Sequence, residues 1–209
     1  MFGFSFMEMV AGLPGLIMAL ALHEYAHARA AVAMGDFTPR LMGRLTINPM
    51  AHIDLIGLLL LFVCRFGWAK PVIINPNNFR DRKKGEILVA LAGPAMNFLL
   101  AFLGLAVILF CNRTLHMEMS YGLKIVLWLI VIYNINFGVF NLLPIPPLDG
   151  SRILAALLPP DLQYRFAGLE RYSMIIFIIF LATPILGYIL LPISQFILGL
   201  FSGILMILL

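Results

Sequence analysis

His23-Glu24-Tyr25-Ala26-His27 has the residue types and spacing of a hydrolytic zinc site. Histidines at i and i+4 project from one face of a helix, so two imidazoles can share one metal ion. Glu24 stands beside them, placed to take a proton from an attacking water. The same five-residue pattern arises by chance in soluble proteins, but its setting here argues against accident. From Val10 to Met34 the only charged side chains are Glu24 and Arg29. Ionisable groups within a bilayer are costly and need partners, so the run reads as a metal site inside a membrane helix.

A catalytic zinc site needs a third protein ligand and an open position. His116 falls in a loop on the far side, away from the motif. His52 and Asp54 lie in the loop after the first helix and could fold back, although loop hydrogen bonding or capping is the simpler use for both. Asp149 stands where a later apolar span breaks. Pro144-Ile145-Pro146-Pro147 ahead of it makes a stiff, extended backbone, and Gly150 permits a tight turn. Such a segment can aim a carboxylate into a helix bundle. The competing use is a turn or helix N-cap aspartate ahead of Ser151-Arg152.

The elements that must position these groups follow from composition. Of 209 residues, 62% are hydrophobic and only 11% charged, with a mean hydropathy of +1.01. That excludes an ordinary soluble domain and predicts an all-α polytopic membrane protein. Long unbroken apolar runs decide for helices, since barrel strands alternate every second residue. The net charge of +4 reads as topological charge, because basic residues cluster beside apolar segments. No basic patch is interleaved with aromatics, so no nucleic-acid partner is expected. Cys64 and Cys111 lack paired spacing and read as core or lipid-facing residues. The opening decapeptide has no basic n-region or small-residue cleavage site, so no removable signal peptide is expected.

The expected path has about five transmembrane helices plus a re-entrant segment with short β-strands. The first span covers residues 8–34, its early turns loosened by Gly12, Pro14 and Gly15, with Gly35 as the stop. Residues 43–47 and 72–75 are the candidate strands. Residues 55–66 form an apolar run too short to cross a ~30 Å hydrocarbon core, hence re-entrant. Spans follow at 86–110, opened or kinked by Gly93-Pro94, and at 121–143, which carries Asn134, Asn136 and Asn141. Residues 151–171 read as an interfacial helix interrupted at Pro159-Pro160. The last spans are 172–191 and 192–209. The whole is expected as one membrane-embedded domain, 1–209, with a catalytic core at 8–152 and C-terminal helices at 172–209. Basic residues concentrate in 35–54, 65–85 and 144–171, which predicts a multi-pass plasma-membrane protein with those loops cytoplasmic. The motif would then lie roughly 10 Å from the cytoplasmic end of its helix.

The motif, with Gly43-Arg44-Leu45-Thr46-Ile47-Asn48-Pro49, His52-Ile53-Asp54, Gly93-Pro94-Ala95-Met96-Asn97 and Asn141-Leu142-Leu143-Pro144-Ile145-Pro146-Pro147-Leu148-Asp149-Gly150, closely resembles the site-2 protease family of intramembrane zinc metalloproteases, in its short prokaryotic form. The resemblance covers about residues 16–152. It implies one Zn2+ per chain on His23, His27 and Asp149, with Glu24 as general base and acid. Asn141 falls on the family's asparagine in the third core helix, where an amide could bind substrate backbone or a developing oxyanion. Asn97 is a second candidate for that substrate or oxyanion role, or a support of the site, and His52 is an auxiliary candidate. For each asparagine, Asn134 and Asn136 included, the competing use is an interhelical hydrogen bond. Ser151 stands where a second glycine is common. No PDZ or CBS domain is recognisable. The implied activity is hydrolysis of peptide bonds within or near transmembrane segments of membrane-anchored proteins in the lipid bilayer, as in regulated intramembrane proteolysis. The oligomeric state is left open. An unwound substrate segment could pair with one of the short strands. The rival class is a zinc-binding membrane transporter or non-proteolytic scaffold. A transporter would show ionisable groups along a path through several helices or repeat symmetry, and the last two spans carry neither.

Overall fold

The computed structural model describes residues 6–54, 57 and 69–209, with residues 6–9 and 170 described by backbone alone. Its helices are α1 (Phe6–Met34), α2 (Thr38–Leu41), α3 (Arg82–Leu109), α4 (Tyr121–Asn141), α5 (Asp149–Leu157), α6 (Pro160–Glu170), α7 (Ser173–Ala182) and α8 (Ile185–Leu208). Side chains start several of them. Asp81 caps α3 by accepting from Lys84 N, and Ser120 caps α4 by accepting from Leu123 N. A π-helical turn, Phe110–Thr114, extends α3.

Three described helical stretches are long and apolar enough to cross a membrane: Arg82–Thr114, Tyr121–Asn141 and Ile185–Leu208. The expectation of about five spans is therefore corrected. At 29 residues α1 also has the length to cross. At the C-terminus the break falls at Thr183-Pro184, not at Pro192. Thr183 is pushed to extended backbone (φ −95, ψ 151) by the proline that follows. α7 is thus only 10 residues long, whereas α8 runs on through Pro192.

No β-strand forms among the described residues, which corrects both candidate strands. In residues 43–47 the backbone groups are used locally. Arg44 N donates to Pro39 O, and His52 Nε2 donates to Thr46 O. Residues 72–75 form no strand, and two of their amides go to side chains. Val72 N donates to Glu24 Oε2 and Asn75 N to Asp36 Oδ2. Carboxylates on α1 and just beyond it take the place of a partner strand. Among the described residues there is one β-bridge, antiparallel, Ile53 with Ala69. It sets the two ends of the intervening stretch side by side. The re-entrant segment expected at 55–66 lies, apart from Gly57, outside the described residues.

α1, α3 and α4 pack against one another, and α5 docks on α3. Small residues allow the close approach. Ala19, Ala21, Ala26, Ala28 and Ala31 of α1 are all buried. Gly12 and Gly15 do not loosen α1, which stays helical through Pro14. They are where α4 comes closest: a Cβ on Gly12 would lie 2.6 Å from the Tyr133 hydroxyl, and one on Gly15 3.0 Å from Ile130 Cα. Ala101, Leu105, Val131, Ile135, Val139 and Leu205 join α3, α4 and α8 in one core cluster. Asn136 adds a polar tie to α8, accepting from Ser194 Oγ at 2.7 Å.

Candidate metal centre

His23 and His27 are one turn apart in the middle of α1, and both are buried. Each ring is fixed from behind by α3. His23 Nδ1–H donates to Asn97 Oδ1 at 2.7 Å, and His27 Nδ1–H donates to Val89 O at 2.7 Å. This assignment of protons follows from the acceptors, a carbonyl oxygen in each case. Both Nε2 atoms are left as lone pairs aimed at the same point, 2.9 Å apart. Asp149, the first residue of α5, brings a third donor. Its Oδ2 lies 3.1 Å from His27 Nε2 and 3.2 Å from His23 Nε2.

A tetrahedral zinc ion with ligand bonds near 2.0–2.1 Å has ligand–ligand edges of about 3.3 Å. The observed triangle is within a few tenths of that. Three lone pairs converging without a proton between them repel, so the donor set fits a bound cation. Among the described residues His23, His27 and Asp149 are the one such cluster of histidine, cysteine and carboxylate groups.

Sequence-local features explain how each donor arrives. Asp149 enters α5 directly after the proline-rich break, and α5 begins against the end of α4. Gly150 is needed for that approach rather than for a turn: a Cβ there would collide with the backbone carbonyls of Leu142 and Leu143. Ser151 is accommodated because its hydroxyl donates to Leu148 O. Gly93-Pro94 does not break α3, which is helical throughout. Gly93 is the floor under both imidazoles, and only a hydrogen fits there.

Asn97 is fully buried, and both N–H groups and the oxygen of its amide are bonded. Besides accepting from His23, its Nδ2 donates to Ala19 O and to Asn134 Oδ1. Asn134 in turn donates to Ile130 O. The amides of α3 and α4 thus form a chain ending on the His23 ring. Asn97→Ala is expected to weaken zinc binding about 10- to 100-fold, the usual effect of losing a group that orients a metal-bound histidine. Competition against a chromogenic chelator measures it, and affinity within twofold of wild type would contradict the role.

Asn141 lines the same cleft. Its Nδ2 donates to Phe137 O, and the second N–H of that amide has no partner among the described residues. His52 is buried in the loop, donating to Thr46 O, and belongs neither to the cluster nor to the cleft lining. Asp54 accepts from Gly57 N.

Two parts of the site escape a reading of the sequence. The first is Val72, whose amide donates to Glu24 Oε2 at 2.8 Å and orients that carboxylate. The second is Asp36, which holds the segment carrying Val72 in place. It is completely buried and accepts from Thr38 N, Thr38 Oγ1, Asn75 N and Asn78 Nδ2. A charged residue directly after an apolar helix was the available signal. Burial pushes its pKa up, but the bonds from Thr38, Asn78 and Asn75 outweigh this and hold it below the usual carboxylate range. Its stabilising contribution is therefore present above the unfolded-state pKa and is lost as pH falls through the lowered folded value. Asp36→Ala is expected to cost about 2–3 kcal/mol, read as a lower melting temperature in detergent.

The cleft has a volume of about 530 Å3 and reaches from His23, Glu24, His27 and Asp149 to a polar mouth at Arg82, Glu86, Arg152 and Gln163.

Comparison with known proteins places this geometry in context. The pattern described as "Peptidase family M50" matches residues 113–184, the part that contains Asp149. The chain is 39% identical over 197 residues to the "Putative zinc metalloprotease YwhC" of Bacillus subtilis (strain 168), covering 90% of each. It is 32% identical over 181 residues to the "Putative zinc metalloprotease Rip2" of Mycolicibacterium smegmatis, covering 84% of this chain and 68% of that protein. The Mycobacterium tuberculosis H37Rv protein of the same name is 30% identical over 179 residues, with the same coverage. No solved structure matches.

Proposed function

The chain belongs to peptidase family M50, the site-2 proteases, and from that premise we propose that it is a zinc endopeptidase hydrolysing peptide bonds within or near the transmembrane segments of membrane-anchored proteins. The observation that carries this reading is the convergence of the His23 Nε2, His27 Nε2 and Asp149 Oδ2 lone pairs, with Glu24 beside them and a cleft open to water.

His23, His27 and Asp149 would hold the zinc, which supplies Lewis acidity toward the scissile carbonyl and acidifies the attacking water. Glu24 takes the proton as the water oxygen bonds to the carbonyl carbon. It then gives that proton to the amide nitrogen as the C–N bond breaks. The Val72 amide holds Glu24 in the orientation for both transfers. The second N–H of Asn141, unpaired among the described residues, is a donor for the developing oxyanion. Asn97 and Val89 keep the two imidazoles turned with Nε2 inward.

Water reaches the site through the mouth beside Arg82 and Arg152. That mouth opens at the N-terminal end of α3, among the basic residues Arg80, Arg82, Lys83 and Lys84. The basic side is the cytoplasmic side, so the site opens toward the cytoplasm of a plasma-membrane protein.

Reconstituted in liposomes with a single-span test protein, the purified chain is expected to produce two fragments. Activity should vanish with a zinc chelator and return on adding Zn2+. A preparation that retains zinc yet cleaves no test protein would favour a transporter or scaffold instead.

A further inference from the structure

The charges lining the cleft are not all accounted for by the reaction. Glu24 is held by the Val72 amide, and Asp149 faces the two imidazoles. Arg82 is paired with Glu86, Nε to Oε1 at 2.9 Å. Arg152 is exposed, lines the same cleft, and has no ion-pair or hydrogen-bond partner for its side chain among the described residues. It sits three residues after Asp149 on α5, hence on the same helix face. The helix rise puts it about 4.5 Å further along the axis. Gln163 of α6 also lines this mouth and adds a neutral hydrogen-bonding group.

We propose that Arg152 is a specificity-determining residue that selects substrates with an acidic side chain a few residues from the scissile bond. The proposal rests on the protease reading above. A guanidinium is a fork of donors matched to a carboxylate, and one left unpaired in a substrate cleft is available to such a group. An extended peptide advances about 3.3 Å per residue. From a bond cleaved at the metal centre, the distance to Arg152 is therefore covered within about four residues. A lysine at that substrate position would be repelled by Arg152.

The test uses the full-length protein in detergent and a series of single-span peptides. Each of the four positions on either side of the mapped cleavage site is changed in turn to Asp, Asn or Lys. In wild type, one position is expected to show kcat/KM about fivefold higher for Asp than for Asn, the upper range for a partly exposed ion pair. Arg152→Gln should bring that ratio to about one. Arg152→Lys should keep most of it, and Arg152→Glu should reverse the order in favour of Lys. A structural role for Arg152 would lower all rates together and leave the ratio unchanged. If wild type shows no acidic preference at any of the eight positions, or Arg152→Gln preserves one, the proposal is overturned while the protease reading stands. If wild type cleaves none of the peptides, the protease reading itself fails.

Discussion

Glu24→Gln is expected to lower kcat for peptide hydrolysis by about 10²- to 10⁴-fold, the range for losing a general base, with zinc content unchanged. The substitution is nearly isosteric, and the amide oxygen of glutamine can still accept from Val72 N. The metal donors, His23, His27 and Asp149, are untouched. What is lost is a group able to take the proton from water and return it to the leaving amine. Initial rates in proteoliposomes together with metal analysis of the same preparation measure the two effects separately. Equal rates for wild type and variant, both carrying zinc, would remove Glu24 from the mechanism.

Gly93→Ala is expected to be nearly as damaging, although glycine to alanine within a helix normally stabilises it by up to about 1 kcal/mol. The added Cβ would lie 2.5 Å from His23 Cε1 and from His27 Nε2, and 2.7 Å from His23 Nδ1. Neither ring has room to retreat. His23 is bonded to Asn97 and packs edge-on against Phe137, with ring centroids 5.1 Å apart. His27 is bonded to the carbonyl of Val89 in the same helix as Gly93. One methyl group must therefore push α3 from α1 or turn the imidazoles away from their shared point. Zinc affinity should fall more than tenfold and activity with it, as read by chelator competition and cleavage rate. Gly199→Ala on α8 is the control, since a Cβ there meets nothing within 4 Å. If Gly93→Ala holds zinc as tightly as that control, the packing of α3 under the imidazoles is not what fixes them.

These two positions differ in how far the sequence reveals them. Glu24 is legible because its partners are its neighbours. The i, i+4 spacing alone puts His23 and His27 on one helix face with the carboxylate next to them. Gly93-Pro94 suggests a kink, because local rules speak only of backbone freedom and a missing amide. The reason for the glycine lies across the bundle in two rings seventy residues earlier. For Asn97 the sequence leaves a part in the site and an interhelical bond open; in the structure its amide accepts from His23 and donates to α1 and α4. The strand expected at 72–75 does not form, and the amides of Val72 and Asn75 go to carboxylates that nothing in the segment itself points to. A strand pattern cannot tell a neighbouring strand from a carboxylate on another helix.

Composition and local spacing are enough to read the membrane class, the helical architecture and the two histidines with their glutamate, while Asp149 stands as a candidate after the proline-rich break. The first three rest on composition or on spacing within one or two helical turns, whereas Asp149 is singled out by the proline-rich segment and the family resemblance. It takes the packing of the helices to show that Asp149 reaches both histidines, that Gly93 leaves the space in which they sit, that Val72 bonds Glu24 from a segment tied to Asp36, and that Arg152 opens onto the same cleft. Those facts depend on how closely α1, α3, α4 and α5 approach one another. That distance is set by small residues facing each other across helix interfaces, and helical periodicity along one segment carries no record of what lies opposite.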